Sequence, residues 1–145
     1  MEYSILLVED QDEDFEVMMR ALRGSSLNLK IERLKNGNDA IQYFSHCGID
    51  ENKKHPALIF LDLNLPGPDG QTLLAEIKRN SSLQHIPAIV ITTSSDPKDV
   101  RDCYNLGANS YHIKSFDFPT FKAEMLRLVN YWLKDSLIPA KFEIV

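Results

Sequence analysis

Four short runs in this chain stop on residues that can do chemistry. ILLV at 5–8 is followed at once by Glu9 and Asp10, ALIFL at 57–61 by Asp62, AIVI at 88–91 by Thr92, and SYHI at 110–113 by Lys114. Short apolar runs bounded by turn formers read as buried strands, so each of these polar groups sits at a strand end. Glu9, Asp10 and Asp62 together make an oxygen-rich, strongly negative cleft, which is unfavourable unless a hard cation is bound. Mg2+ fits: it accepts a few carboxylates, keeps several waters and leaves room for a phosphoryl oxygen. Asp62 is placed to attack phosphorus and form an acyl phosphate, with the Lys114 ammonium and the Thr92 hydroxyl meeting the charge on the transferred group. Taken singly, Glu9 and Asp10 could favour the positive end of a helix, Asp62 could be a cap, and Lys114 a solvated strand-end charge. An acid pair, a central Asp, a hydroxyl and a Lys in this order at strand ends argue for a joint role.

The elements that must position these groups alternate between strand and helix. After Asp10, Phe15, Met18, Met19 and Leu22 repeat at helical spacing up to Gly24. A second strand is expected over 30–34, then a helix opened by Asn36-Gly37-Asn38 and closed near Gly48. A polar surface loop follows at 50–55. Past Asp62, the breakers Pro66, Gly67, Pro68, Asp69 and Gly70 hold a shaped loop before a helix carrying Leu73, Leu74 and Ile77. Asp96 reads as an N-cap with Pro97 at the first helical position, and Gly107 ends that helix. From Pro119 a long amphipathic helix runs to near Pro139, leaving 140–145 as a tail. Alternation of this kind implies an open parallel sheet with helices on both faces, whose ligands bind outside the carboxyl ends of the strands.

Composition narrows the function classes. At 145 residues and 43% hydrophobic content the chain suits one domain with a substantial core, and its net charge of -5 argues against a general affinity for nucleic acid. Cys47 and Cys103 lack CxxC spacing and no signal-peptide core is visible, so a reduced cytoplasmic setting is expected, with no membrane span.

With these residues in view, the chain resembles the receiver domain of two-component response regulators over 4–137. ILLVED carries the acidic pair, LDLNLPGPDG the acceptor Asp and its loop, ITTSS the switch Thr, and YHIK the switch aromatic and the Lys. The resemblance implies a flavodoxin-like doubly wound α/β fold with a five-stranded parallel sheet in order 2-1-3-4-5. It implies that Glu9, Asp10, Asp62 and the Asn64 backbone carbonyl bind Mg2+, that Asp62 is phosphorylated by a sensor histidine kinase, and that Thr92 and Lys114 bind the phosphoryl group. Tyr111 is then the residue that rotates with the switch. One departure stands out: the family's Pro after the Lys is Ser115 here, and without proline a cis bond costs roughly 2.5–4 kcal/mol. Residues 1–145 are expected to be a single receiver domain with an extended carboxyl-terminal helix and tail and no output domain, signalling through partners. The LNLPGPDG wording and the extended carboxyl end look most like stand-alone regulators paired with phytochrome histidine kinases.

The rival class is a Mg2+-dependent phosphatase of haloacid-dehalogenase type, which also uses an Asp nucleophile after an apolar strand. Its second acid would fall at Asn64, which cannot transfer a proton. A signalling role as phospho-acceptor, with no activity beyond its own phosphorylation and dephosphorylation, is therefore the expectation. Homodimerisation is expected too. Phe116, Phe118 and Phe121, with Tyr131, Trp132 and Leu133 further on, exceed what one helix face can bury, and Phe142 and Ile144 alternate as a strand edge or latch would.

Overall fold

Val8 pairs with Leu61, Leu61 with Val90, and Thr92 with Ile113, all in parallel, so the sheet delivers its polar residues to one rim. The computed structural model describes residues 1–47 and 55–142. Among them the order is β1 (Glu2–Val8), α1 (Asp12–Leu22), β2 (Asn28–Leu34), α2 (Gly37–His46), β3 (Leu58–Leu61), α3 (Gly70–Arg79), β4 (Ala88–Thr92), α4 (Pro97–Asn105), β5 (Ser110–Ile113) and α5 (Phe118–Val129). The strands lie in the order β2-β1-β3-β4-β5, as the resemblance implies. The polar loop expected at 50–55, Gly48, and the tail residues Ile144 and Val145 lie wholly or almost wholly outside the described residues.

Side-chain alternation sorts the core into two layers. Ile5, Leu7, Leu58, Phe60, Ile89 and Ile91 face α1 and α5, where Met18, Leu22, Phe121 and Met125 meet them. Leu6, Val8, Ile59, Leu61 and Val90 face the other way, onto Phe44 of α2, Leu73 and Ile77 of α3, and Cys103 of α4. Burial on both sides is why β3 and β4 are uninterrupted apolar runs. The outer strand β2 begins earlier than the apolar pattern suggests, because Asn28, Lys30 and Glu32 alternate outward to solvent while their backbone still pairs with β1.

Helix starts follow the capping signals. Asn36, Asp69, Asp96 and Asp117 each accept a hydrogen bond from a backbone N–H in the first turn of the helix they open. Gly70 allows α3 to begin against the site: a Cβ there would lie 2.3 Å from the Asp62 carbonyl oxygen. Gly67 turns the preceding loop with φ of 74°, a conformation glycine adopts without strain.

The carboxyl end departs from the sequence expectation in two ways. The helix does not reach Pro139: α5 passes at Asn130–Asp135 into a π-helical turn, closed by Ser136 N–H donating to the Tyr131 carbonyl at 2.7 Å. Leu133 is thereby fully buried, Trp132 half-buried and Tyr131 left exposed. Beyond it Ile138 is buried in the core and Pro139–Phe142 forms a 3-10 turn, so Phe142 is not part of a strand edge. Proline cannot donate to a ladder, and Lys141 instead binds the Ser136 carbonyl through its ammonium at 2.6 Å. No cis peptide bond occurs among the described residues, so Lys114–Ser115 is trans.

Candidate functional site

Glu9, Asp10 and Asp62 meet at the carboxyl rim between β1 and β3, with one oxygen from each lying within 4.8 Å of the others. Glu9 and Asp62 are almost wholly enclosed, and Asp10 is half-buried. Backbone and side-chain donors from the next residue fix the pair: Gln11 N–H donates to Glu9 Oε2 at 3.3 Å, and Gln11 Nε2 donates to Asp10 Oδ2 at 3.0 Å. Asp10 Oδ1 is enclosed and receives no hydrogen bond from the described residues. A buried carboxylate oxygen with no donor, beside two further carboxylates, is the donor set that a hard divalent cation requires.

Lys114 lies across this cluster. Its ammonium donates to Glu9 Oε1 at 2.5 Å, Asp14 Oδ2 at 2.8 Å and Asp62 Oδ2 at 2.9 Å. Burial works against the charged lysine, but its hydrogen bonds to Asp14, Glu9 and Asp62 outweigh that and push its pKa above the ordinary value. Burial also pushes the Glu9 carboxyl up to about 7; the Lys114 ammonium opposes this and the Asp62 charge adds to it.

Thr92 ends β4 fully buried, and its hydroxyl oxygen accepts from Ser94 N–H at 3.5 Å. The Lys114 backbone N–H donates to the Thr92 carbonyl at 2.7 Å, but among the described residues no hydrogen bond joins the Thr92 hydroxyl to Asp62 or to the Lys114 ammonium. Tyr111, half-buried on β5, donates from its hydroxyl to the Ser94 carbonyl at 2.8 Å. Asn64 is exposed, and its N–H donates to Asp62 Oδ1 at 3.3 Å. The structure therefore gathers Glu9, Asp10, Asp62 and Lys114 directly and links Thr92 to Tyr111 through Ser94. Asp14 and Gln11 are site residues that the strand-end reading missed. Asp14 lies in the first turn of α1 beside Asp12 and Glu13, where acids are the ordinary choice for the helix itself, so its sequence position did not set it apart.

A parallel α/β sheet with an acid cluster and a lysine at its carboxyl rim defines a class of phosphoryl-handling signalling proteins more than any single chemistry. The response regulator receiver domain family matches residues 5–126, and the chain belongs to that family. It is similar to response regulator Rcp1 of Synechocystis sp., with 38% identity over 136 residues that cover 94% of this chain and 92% of that protein. The crystal structure of the phosphorylated cyanobacterial phytochrome response regulator RcpA superposes with a TM-score of 0.88 at 33% identity, covering 96% of this chain and 99% of that one. The Mn2+-bound form of Rcp1 gives a TM-score of 0.85 at 36% identity, covering 94% and 99%. The haloacid-dehalogenase alternative finds no support, since the family match covers the acid pair, Asp62, Thr92 and Lys114 together.

Proposed function

We propose that this chain is a receiver that takes a phosphoryl group on Asp62 from a histidine kinase and signals by a change of conformation. The observation that carries this reading is the contact of Lys114 with Asp62 inside the Glu9, Asp10 and Asp62 cluster. In the transfer, an Asp62 carboxylate oxygen forms a new bond to phosphorus while the P–N bond of the donor phosphohistidine breaks and its electron pair leaves on the imidazole nitrogen. Hydrolysis reverses the gain: water oxygen bonds to phosphorus, the Asp62 O–P bond breaks, and inorganic phosphate departs. Lys114 holds a proton-rich ammonium beside the attacking oxygen. Thr92 offers a hydroxyl to the arriving group, and its movement reaches Tyr111 through Ser94. The Glu9, Asp10 and Asp62 side chains with the Asn64 carbonyl would hold a Mg2+ ion, which would neutralise charge on the equatorial phosphoryl oxygens. The Mn2+-bound form of the similar Rcp1 supports a divalent cation in this role.

The similarity to RcpA, named as a phytochrome response regulator, supports a phytochrome kinase as donor, and a cytoplasmic setting goes with that reading. A homodimer built on α5 and its neighbours completes the reading. The test is incubation with acetyl phosphate and Mg2+ followed by intact mass. One phosphoryl group is expected on wild type and none on Asp62→Asn or in chelator. Equal labelling of the variant, or labelling indifferent to chelator, overturns the assignment.

A further inference from the structure

The three carboxylates on Lys114 differ in what else they do. Glu9 and Asp62 belong to the group whose oxygens lie close enough together to hold a cation, and Asp14 does not. Asp62 is also the proposed acceptor. A cation on Glu9 and Asp62, and a phosphoryl group on Asp62, would compete with the ammonium for those carboxylates. Asp14 is the partner that stays.

Its local setting points the same way. Asp14 is the third residue of α1, where an acidic side chain ordinarily reaches back to the N–H of the capping residue. Here that N–H, on Gln11, is taken by Glu9. The Asp14 side chain turns instead to Lys114, a hundred residues away in sequence, at 2.8 Å. At 41% exposure it stands at the lip of the cleft, whereas Glu9 and Asp62 form its floor at 5% and 7%. Its neighbour Asp12 serves a different pair, Arg33 at 2.8 Å and Lys35 at 3.4 Å.

We infer that Asp14 is a positioning residue for phosphoryl transfer: it anchors the Lys114 ammonium at the lip of the cleft so that the two remaining N–H groups face the phosphoryl oxygens. This rests on Asp62 being the acceptor. An ammonium on a flexible four-carbon stem has three donors and many rotamers, so a fixed acceptor on the solvent side decides where the other two point. Removing it leaves the charge but not the aim, and mispositioning of a stabilising group lowers the rate of the chemical step more than it weakens ground-state binding.

The experiment measures phosphorylation against acetyl phosphate concentration with saturating Mg2+ for wild type, Asp14→Ala, Asp14→Glu, Asp12→Ala and Asp62→Asn, with the melting temperature of each. Asp14→Ala is expected to lower the maximal rate on the order of ten-fold with half-saturation unchanged or lower. Asp14→Glu recovers most of the rate, and Asp12→Ala, which removes a carboxylate from the same turn, keeps it. The 19F spectrum of beryllofluoride bound with Mg2+ is a second readout: the fluorine facing Lys114 shifts in Asp14→Ala and returns in Asp14→Glu. An unchanged or raised maximal rate in Asp14→Ala, an equal fall in Asp12→Ala, or an unmoved fluorine spectrum overturns the inference. If wild type itself takes no phosphoryl group, or Asp62→Asn takes it equally, the failure lies with the acceptor assignment instead.

Discussion

Ser94 accepts one hydrogen bond and donates another around a single backbone segment, and through them the buried end of β4 meets the surface of β5. Its N–H donates to Thr92 and its carbonyl accepts from Tyr111. A phosphoryl group adds about -1.5 to -2 charge beside the site, and a hydroxyl drawn toward it must release the Ser94 N–H. The consequence passes to Tyr111. Thr92→Ala is expected to keep phosphorylation and to lose the accompanying change in amide shifts over α4 and β5, read by NMR with and without acetyl phosphate. A full response in that variant sinks the route through Ser94. Moving such an equilibrium from 1:99 to 99:1 needs about 5.5 kcal/mol of differential binding, so a partial shift is expected in wild type. At this scale the sequence was most legible where chemistry and topology coincide: Glu9, Asp10, Asp62 and Lys114 each follow a strand directly. Asp14 was not legible, because an acid in the first turn of a helix is the ordinary choice for the helix itself.

Among the elements, β5 carries the clearest consequence for pH. His112 sits half-buried between Ser110, whose hydroxyl lies 3.2 Å from its Nε2, and the Glu124 side of α5. Burial pulls its pKa below the ordinary 6.5, and the Glu124 charge opposes that only in part. The charged form is thus disfavoured in the folded chain. As pH falls below 6.5 the unfolded chain takes up the proton first, so stability present above that pH is lost as the pH drops toward the lowered folded value. His112→Gln should flatten this: urea unfolding at about pH 7.5 and about pH 5 should give a smaller difference for the variant than for wild type. An equal or larger difference counts against it. Element boundaries were legible wherever a cap carries them, as at Asn36, Asp69, Asp96 and Asp117. They were least legible at the ends: β2 hides its first residues behind solvent-facing polar ones, and one wide turn at Asn130–Asp135 leaves a 3.6-residue pattern nearly unchanged up to Leu133.

For the whole molecule, part of the apolar surface that remains outside the core lies along β5. Two hollows that share His112, Glu124 and Arg127 run along β5, one bordered by Tyr104 and Ile113 and the other by Tyr131 and Trp132. Ile113 is 47% and Tyr131 54% exposed, and β5 lies at the end of the sheet with its outer edge unpaired among the described residues. An exposed edge strand flanked by aromatic residues is a ready surface for a second chain. Glu124 and Arg127 lie one turn apart on α5, so a twofold axis there would bring opposite charges of the two copies together. The expected product is a homodimer burying about 800 Å² per partner. This moves the expectation away from the tail, since Ile138 is already packed in its own core and Phe142 ends a 3-10 turn. Light scattering at about 100 μM, with and without phosphorylation, should give twice the monomer mass for wild type. Ile113→Glu and Tyr131→Glu should each weaken the dimer by ten-fold or more in dissociation constant, as burial of an unpaired charge at an interface core requires, about 1.4 kcal/mol or more. Both substitutions should leave Asp62 labelling intact. A wild-type monomer under both conditions removes the dimer from the account, and a dimer indifferent to both substitutions removes this face from it.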